Sequence, residues 1–194
     1  MLSRIHLKQL LLFLIWINLF QWIQCETVHG QTTGTSSWQL IETRYTIIQY
    51  QTSKDLAKFN RKIDFSSEEW SAKSLFSGSG SKNPVETTRK KVDAVFERVQ
   101  NLLDMRKRVK KVIINIYPKK LFQKIRYKIT GSKRPIRSWY IYERNTIYIN
   151  ADDVHEGILA HEMAHAIIDH YMRVRPPRAT TEILARYVDE HLHY

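Results

Sequence analysis

The sequence predicts an α+β domain in which a small mixed sheet packs against helices. Short runs of β-branched and aromatic residues alternate with longer segments whose apolar residues recur at helical spacing. The chain has 194 residues and an apolar content of 43%, which suits one ordinary domain with a hydrophobic core. We therefore expect a single folded domain over residues 38–194.

The residues before this domain predict export. Residues 1–30 contain an apolar run from Leu10 to about Ile23 that follows basic residues and is short for a membrane span, as in a secretory signal. An uncleaved signal anchor is the alternative, because no A-x-A cleavage sequence is present. Residues 31–37 are rich in Thr, Ser and Gly and predict a flexible spacer. Cys25 is the single cysteine, which excludes an intrachain disulfide but not export, so we expect a secreted, periplasmic or cell-envelope protein.

The first half of the domain predicts one strand and two helices. Thr43 to Gln51 is β-branched and aromatic enough for a strand, and Ser53 can then cap a short helix. A Ser/Gly-rich connector covers residues 65–82. Asn83 followed by Pro84 then predicts a helix start, because Asn caps helices and proline suits the first helical position. Apolar residues at helical spacing predict that this long helix packs on the sheet: Val92, Val95, Phe96, Val99, Leu102 and Leu103.

The second half predicts a buried strand, a helix and a hairpin. Val112 to Tyr117 is a continuous apolar run typical of a buried strand, and a helical pattern follows it. That pattern consists of Leu121, Phe122, Ile125 and Ile129. Trp139 to Glu143 and Thr146 to Asn150 are strand-like runs separated by two turn residues, which predicts a β-hairpin. Asp152 and Asp153 are placed to cap the next helix.

This next helix carries the motif His161-Glu162-Met163-Ala164-His165. At about 100° per residue the two histidines lie on one helical face, one turn apart, so two imidazole nitrogens can bind one metal ion. Glu162 lies beside them, where its carboxylate can reach a water molecule without binding the metal. The motif is typical of a zinc hydrolase.

A catalytic zinc ion needs a third protein ligand and leaves its fourth position to water. Two consecutive prolines end the helix after Arg175, and Thr180 or Thr181 can cap a second helix. The resulting helical hairpin can return Glu182 to the two histidines, so we predict Glu182 as the third ligand. Asp169 lies a further turn along the first helix, where it is better placed to hydrogen-bond to a metal ligand than to bind the metal itself.

This pattern resembles the gluzincin metallopeptidases, in which a helix carrying a ligand glutamate follows H-E-x-x-H. The short chain is similar to the small members called minigluzincins, or peptidase MA-like domains. Leu159 to Asp189 is also similar to the ending of a group of bacterial metallopeptidase-like proteins. The metzincin class is excluded, because Ile168 and Tyr171 stand where it needs Gly and His.

The resemblance implies a zincin-like fold, with an active-site helix followed by a glutamate-bearing helix. It implies an exported metallopeptidase in which His161, His165 and Glu182 bind Zn²⁺, and Glu162 is the general base for a zinc-activated water. The substrate would be a peptide or protein bound along an edge strand. We expect Thr146 to Asn150 to be that strand.

Two details of the site stay open. Several gluzincins use an Asp four residues after the ligand glutamate to orient the first histidine, and here that position is Arg186. The alternative partners for the histidines are Asp152, Asp169 and Asp189. The candidates for a second donor to the developing oxyanion are Tyr171, Arg178, Tyr187 and His191.

The charge balance is compatible with an anionic partner, although basic residues spread in this way are usually typical of solvated helix faces and turns. There are 31 Lys and Arg residues against 19 Asp and Glu residues, a net charge of +12, and the excess is spread along the chain. A polyanionic component of the cell envelope is a candidate partner. Nucleic acid is disfavoured, because no nucleic-acid-binding module is recognisable, and membrane contact is expected only through an uncleaved signal. Two other functions compatible with the motif are a catalytically silent zinc-fold envelope binding protein and a zinc amidase acting on a cell-wall link.

Overall fold

The computed structural model describes residues 37–65 and 83–194. The predicted signal, nearly all of the predicted spacer and most of the 65–82 connector lie outside these residues. Within them the protein is mixed α+β, with five strands in one sheet and five α-helices. The strands are β1 (Gln39–Glu42), β2 (Thr46–Tyr50), β3 (Val112–Tyr117), β4 (Ser138–Ile141) and β5 (Thr146–Asn150).

The helices begin close to the residues that the sequence predicts. They are α1 (Ser53–Lys62), α2 (Pro84–Leu102), α3 (Lys119–Thr130), α4 (Glu156–Tyr171) and α5 (Arg178–His191), with a short 3₁₀ helix at Tyr142–Arg144. Asn83 caps α2 as predicted, because its side chain accepts a hydrogen bond from the Val85 N–H. The cap of α1 is Thr52 rather than Ser53.

Two helix starts differ from the prediction. α4 begins at Glu156 after His155, and neither Asp152 nor Asp153 caps it. Both aspartates form ion pairs with basic side chains instead: Asp152 pairs with Lys58, and Asp153 pairs with Arg137. α5 begins at Arg178, directly after the prolines and one turn before the predicted threonine caps, because proline's fixed φ suits the residue preceding the first helical turn.

The sheet has the strand order β1-β2-β3-β5-β4. Its three central strands are parallel, and each edge strand joins them in antiparallel fashion. β4 and β5 form the predicted hairpin, with Asn145 in the left-handed region at the turn. The expectation that Thr146–Asn150 is the edge strand is wrong. All five of its residues are buried between β3 and β4, and β4 is the edge.

The two faces of the sheet bury different clusters. Side chains alternate along β5, so Ile147 and Ile149 join the main core, which also contains buried residues of α1, α2, α4 and α5. Tyr148 points to the other face, where it packs with Phe122 of α3. The rings of Tyr148 and Trp139 stack at 4.6 Å on that face. The sheet is therefore covered on both sides, with α4 on the larger core.

Among the described residues, no helix combines the length and apolar character that crossing a membrane requires.

Candidate metal centre

The helix that carries the two histidines is buried along most of its length. Leu159, Met163 and Ile167 recur at helical spacing and are fully buried in the main core. His161 and His165 occupy another face and are only partly exposed. Because the apolar residues hold the helix against the sheet, the histidine face is turned toward the neighbouring helix α5.

The helix α5 brings Glu182 to that face. Thr181, Ala185 and Val188 are its buried residues, and they recur at three- and four-residue spacing on the side that packs against the core. Glu182 follows Thr181 and is 37% exposed. The predicted helical hairpin therefore forms, and it brings together the three side chains that the sequence selects.

The side-chain nitrogen and oxygen atoms of these three residues lie close together. The His161 and His165 Nε2 atoms lie 3.3 Å apart. Glu182 places Oε1 3.7 Å from the His161 Nε2 and Oε2 3.5 Å from the His165 Nε2. One ligand atom from each residue lies within 4.8 Å of the others. The three side chains form a single cluster, here called the His-His-Glu cluster.

These separations can be compared with those of a zinc site. Zinc–nitrogen and zinc–oxygen bonds of about 2.0–2.1 Å at tetrahedral angles separate neighbouring ligand atoms by about 3.3–3.4 Å. The observed distances of 3.3, 3.5 and 3.7 Å are similar to this value, with a different carboxylate oxygen of Glu182 facing each imidazole. Burial lowers the pKa of His165, and the neighbouring His161 lowers it further, so its imidazole is neutral and can act as a ligand. The donor set and spacing fit Zn²⁺.

Glu162 is close to the cluster in sequence but faces the edge strand. The Ser138 hydroxyl donates a hydrogen bond of 2.7 Å to Glu162 Oε1. Burial raises the pKa of Glu162 to about 7, while the Ser138 hydrogen bond acts in the opposite direction. The carboxylate is therefore held beside β4 at a pKa suited to exchanging protons near neutrality.

None of the three aspartates proposed to orient the histidines hydrogen-bonds to either imidazole within the described residues. Asp152 accepts hydrogen bonds from Lys58 and from the Lys119 N–H. Asp189 lies against Gly157, where a Cβ atom would collide with its Oδ1. Asp169 Oδ2 lies 3.1 Å from Arg175 Nη2. Within the described residues, Glu182 is the carboxylate that contacts the rings of the two histidines.

A group on the α4–α5 hairpin ties it to the edge strand, and we call it the aromatic clamp. It consists of Tyr140, Tyr142, Asp169, His170 and Arg175. The Tyr140 Oη lies 3.0 Å from His170 Nε2, and the Tyr142 ring stacks on the same imidazole at 5.3 Å. The Arg175 guanidinium lies 4.5 Å from the Tyr142 ring centroid while pairing with Asp169. The clamp links the hairpin to the C-terminal end of β4 and to the 3₁₀ helix that follows it.

The cluster opens into a cavity of about 920 Å³. Its walls come from β4, α4, the start of α5 and the segment that joins α3 to β4. Of the four candidates for an oxyanion donor, Arg178 lines this cavity. Tyr171, Tyr187 and His191 are not among its lining residues, and His191 instead bonds through Nδ1 to the Tyr187 carbonyl at 2.8 Å.

Sequence reasoning missed Ser138 and the clamp. The sequence does assign Tyr140 and Tyr142 to a strand beside the motif, but nothing local indicates that they contact His170 and Arg175. These contacts depend on how the hairpin folds back over the sheet edge.

Comparison of the chain with family models, with curated proteins and with solved structures finds no match.

Proposed function

We propose that the protein is a zinc-dependent metallopeptidase with a zincin-like domain of gluzincin type. One observation carries this proposal: ligand atoms of His161, His165 and Glu182 meet at zinc-like spacing beside the buried carboxylate of Glu162. The first three residues would hold the ion. When bound, zinc would supply a water of lowered pKa and polarise the scissile carbonyl.

The chain itself would move the proton. Glu162 would accept a proton from the attacking water and pass it to the departing amine, which requires a carboxyl with a pKa near neutrality. Burial, which raises the pKa of Glu162, shifts it toward that range. Ser138 would keep the carboxylate pointed at the same place in each step, because its hydroxyl donates a hydrogen bond to Glu162 Oε1.

The edge strand β4 would align the substrate. Among the described residues it pairs with β5 on one side and with no strand on the other, so its other side would offer backbone groups to an extended peptide. Ser138, Trp139 and Tyr140 of this strand line the cavity that holds the cluster. A peptide added to β4 would therefore pass beside Glu162. By its predicted N-terminal signal, the enzyme would act outside the cytoplasm.

The test compares Glu162→Gln with the wild type. Glutamine keeps the size of the side chain but cannot accept the proton, so the variant should retain about one zinc ion per chain and lose most of its turnover. Metal content is measured on purified protein, and turnover is measured on a library of extended fluorogenic peptides. Glu190→Gln is the matched control, since Glu190 is an exposed glutamate of α5 that does not line the cavity.

Three outcomes would refute the proposal or redirect it. Equal turnover by wild type and Glu162→Gln would refute the mechanism. Stoichiometric zinc in a His161→Ala/His165→Ala double variant would refute the site. Zinc binding without cleavage of any peptide would favour either a silent binding protein or an amidase, and a panel of cell-wall fragments separates these two.

A further inference from the structure

We infer that the cavity around the His-His-Glu cluster selects peptides that carry carboxylates. The inference rests on the proposed function only in taking this cavity as the place where the substrate binds. Four arginines line the cavity: Arg126, Arg134, Arg175 and Arg178. Arginine's planar fork matches a carboxylate with two parallel hydrogen bonds, which makes it the residue best suited to recognise one.

Three of these arginines are not paired with a carboxylate among the described residues. Arg175 is committed to Asp169 in the aromatic clamp. Within residues 37–65 and 83–194, the guanidinium groups of Arg126, Arg134 and Arg178 form no ion pair with a carboxylate. Their charges are therefore available to a bound molecule.

The acidic residues that line the cavity offset only part of this charge. Among the described residues, its lining contains four arginines and three carboxylates, from Glu162, Asp169 and Glu182, which leaves one formal positive charge. Asp169 already neutralises Arg175, and the other two carboxylates belong to the proposed catalytic centre. A bound divalent ion would raise the balance to about +3, since it adds two charges. The cavity favours an anionic ligand, as does the overall charge of +12.

The free arginines also lie along the path of an extended peptide. Arg134 lies in the segment just before β4, and Arg126 lies in the last half of α3 facing the same space. Arg178 begins α5 one turn before Glu182, so the two side chains share a helix face. The positive charge therefore occurs both at the Ser138 end of the edge strand and beside the cluster.

A second hollow extends the positive surface. Its volume is about 240 Å³, and it shares Arg126, Arg134, Pro135 and Ile136 with the main cavity. Lys133 lines it as well, with its ammonium 5.7 Å from the Tyr127 ring centroid. A peptide that continues past Ser138 would meet this basic and partly apolar hollow. The shared arginines therefore suit acidic side chains that lie next to apolar ones.

The experiment measures binding separately from cleavage. Zinc-loaded Glu162→Gln protein is titrated with three fluorescent peptides of one sequence that carry Glu, Gln or Lys at the same positions. We expect the Glu peptide to bind at least about 10-fold tighter than the Gln peptide, the factor that corresponds to about 1.4 kcal/mol. Each peptide is prepared with a free and with an amidated C-terminus, which separates side-chain carboxylates from the terminal one as the recognised group.

Arginine variants then locate the effect. When Arg126→Gln and Arg134→Gln are added to the Glu162→Gln protein, its Kd values for the Glu and Gln peptides should come to within about twofold of each other. Adding Arg106→Gln and Arg108→Gln removes the same charge from exposed residues that line neither cavity, and it should leave the ratio of the two Kd values unchanged. Thermal denaturation of each variant checks that it is folded.

The inference is overturned if the Glu and Gln peptides bind equally well. It is also overturned if the two double variants lose the Glu preference to the same extent, because the preference would then depend only on the protein's net charge. It is also overturned if dextran sulfate displaces the Glu peptide and itself depends on Arg126 and Arg134 to the same extent, since any polyanion would then fit. Failure of the proposed function looks different: the Glu preference and its arginine dependence persist, while zinc-loaded wild type cleaves none of the peptides. Cleavage of the Glu and Gln peptides with equal kcat/KM would uphold the enzyme and reject the inference.

Discussion

Replacing Glu182 by alanine is expected to weaken zinc binding at least about 100-fold without unfolding the protein. Structural zinc sites release roughly 10–16 kcal/mol in total, or about 2.5–4 kcal/mol for each of four ligands. Since 1.4 kcal/mol corresponds to a factor of ten, the loss of one ligand should raise Kd by about 10²–10³. The fold should survive, because Glu182 is 37% exposed and its neighbours Thr181 and Ala185 provide the buried contacts of α5.

Two measurements check this value. A competition titration against a chelating dye gives Kd directly. Thermal or denaturant unfolding gives it through linkage: zinc at about 100 times the wild-type Kd should stabilise wild type by about 2.7 kcal/mol. At the same zinc concentration a variant with a 100-fold weaker site should be stabilised by only about 0.4 kcal/mol. The zinc concentration then equals the variant's Kd, so the stabilisation is RT ln 2.

The controls come from the same two helices. Glu190→Ala removes an exposed glutamate of α5 and should change neither measurement. Asp169→Ala removes a carboxylate that pairs with Arg175, so its effect should not exceed about 10-fold to 100-fold. The assignment of the third ligand would be rejected if Asp169→Ala or His191→Ala weakened zinc binding more than Glu182→Ala, or if Glu182→Ala stayed within about threefold of wild type.

Three further outcomes are expected. Ile167→Ala should lower the free energy of unfolding in a urea titration by about 2–5 kcal/mol, because Ile167 is 0% exposed in the core. The control Ile183→Ala, at a residue that is 68% exposed, should change that free energy by no more than about 0.5 kcal/mol. Gly131→Ala should cost about 1 kcal/mol in that assay, since Gly131 ends α3 with φ at 69°. Ser138→Ala should lower kcat by about 10-fold to 100-fold with zinc content unchanged, because it removes a charge-assisted hydrogen bond to Glu162; an unchanged kcat would contradict the positioning role given to this hydroxyl.

The helices could be predicted because their signals are local. In α2, an Asn cap, a proline at the first position and a long apolar stripe all indicate the same element, and the structure confirms it as Pro84–Leu102. The approach of Glu182 to the histidines could also be predicted, since a short proline-containing loop between two helices leaves few ways to arrange them. These predictions needed only residues close together in the chain.

The order of the strands could not be predicted in this way. β4 and β5 belong to one hairpin, and hairpin spacing does not say which of the two also pairs with β3. That choice depends on a parallel pairing between residues more than thirty positions apart, such as Ile114 and Ile147. In retrospect, β5 is the strand whose residues are all buried, which is typical of a central strand.

The helix α5 shows why packing, rather than the ligands themselves, positions the proposed third ligand. Thr181 and Ala185 are buried on either side of Glu182 in the sequence, so the rotation of α5 about its axis is determined by core contacts. Arg175 and its partners in the aromatic clamp fix the loop that leads into α5. These contacts place the backbone of Glu182, and its carboxylate then lies 3.5–3.7 Å from both imidazoles and 3.5 Å from the Arg186 Nε. Because little ordering is left to the binding step, a metal ion captured here would lose little of its binding free energy to arranging the protein.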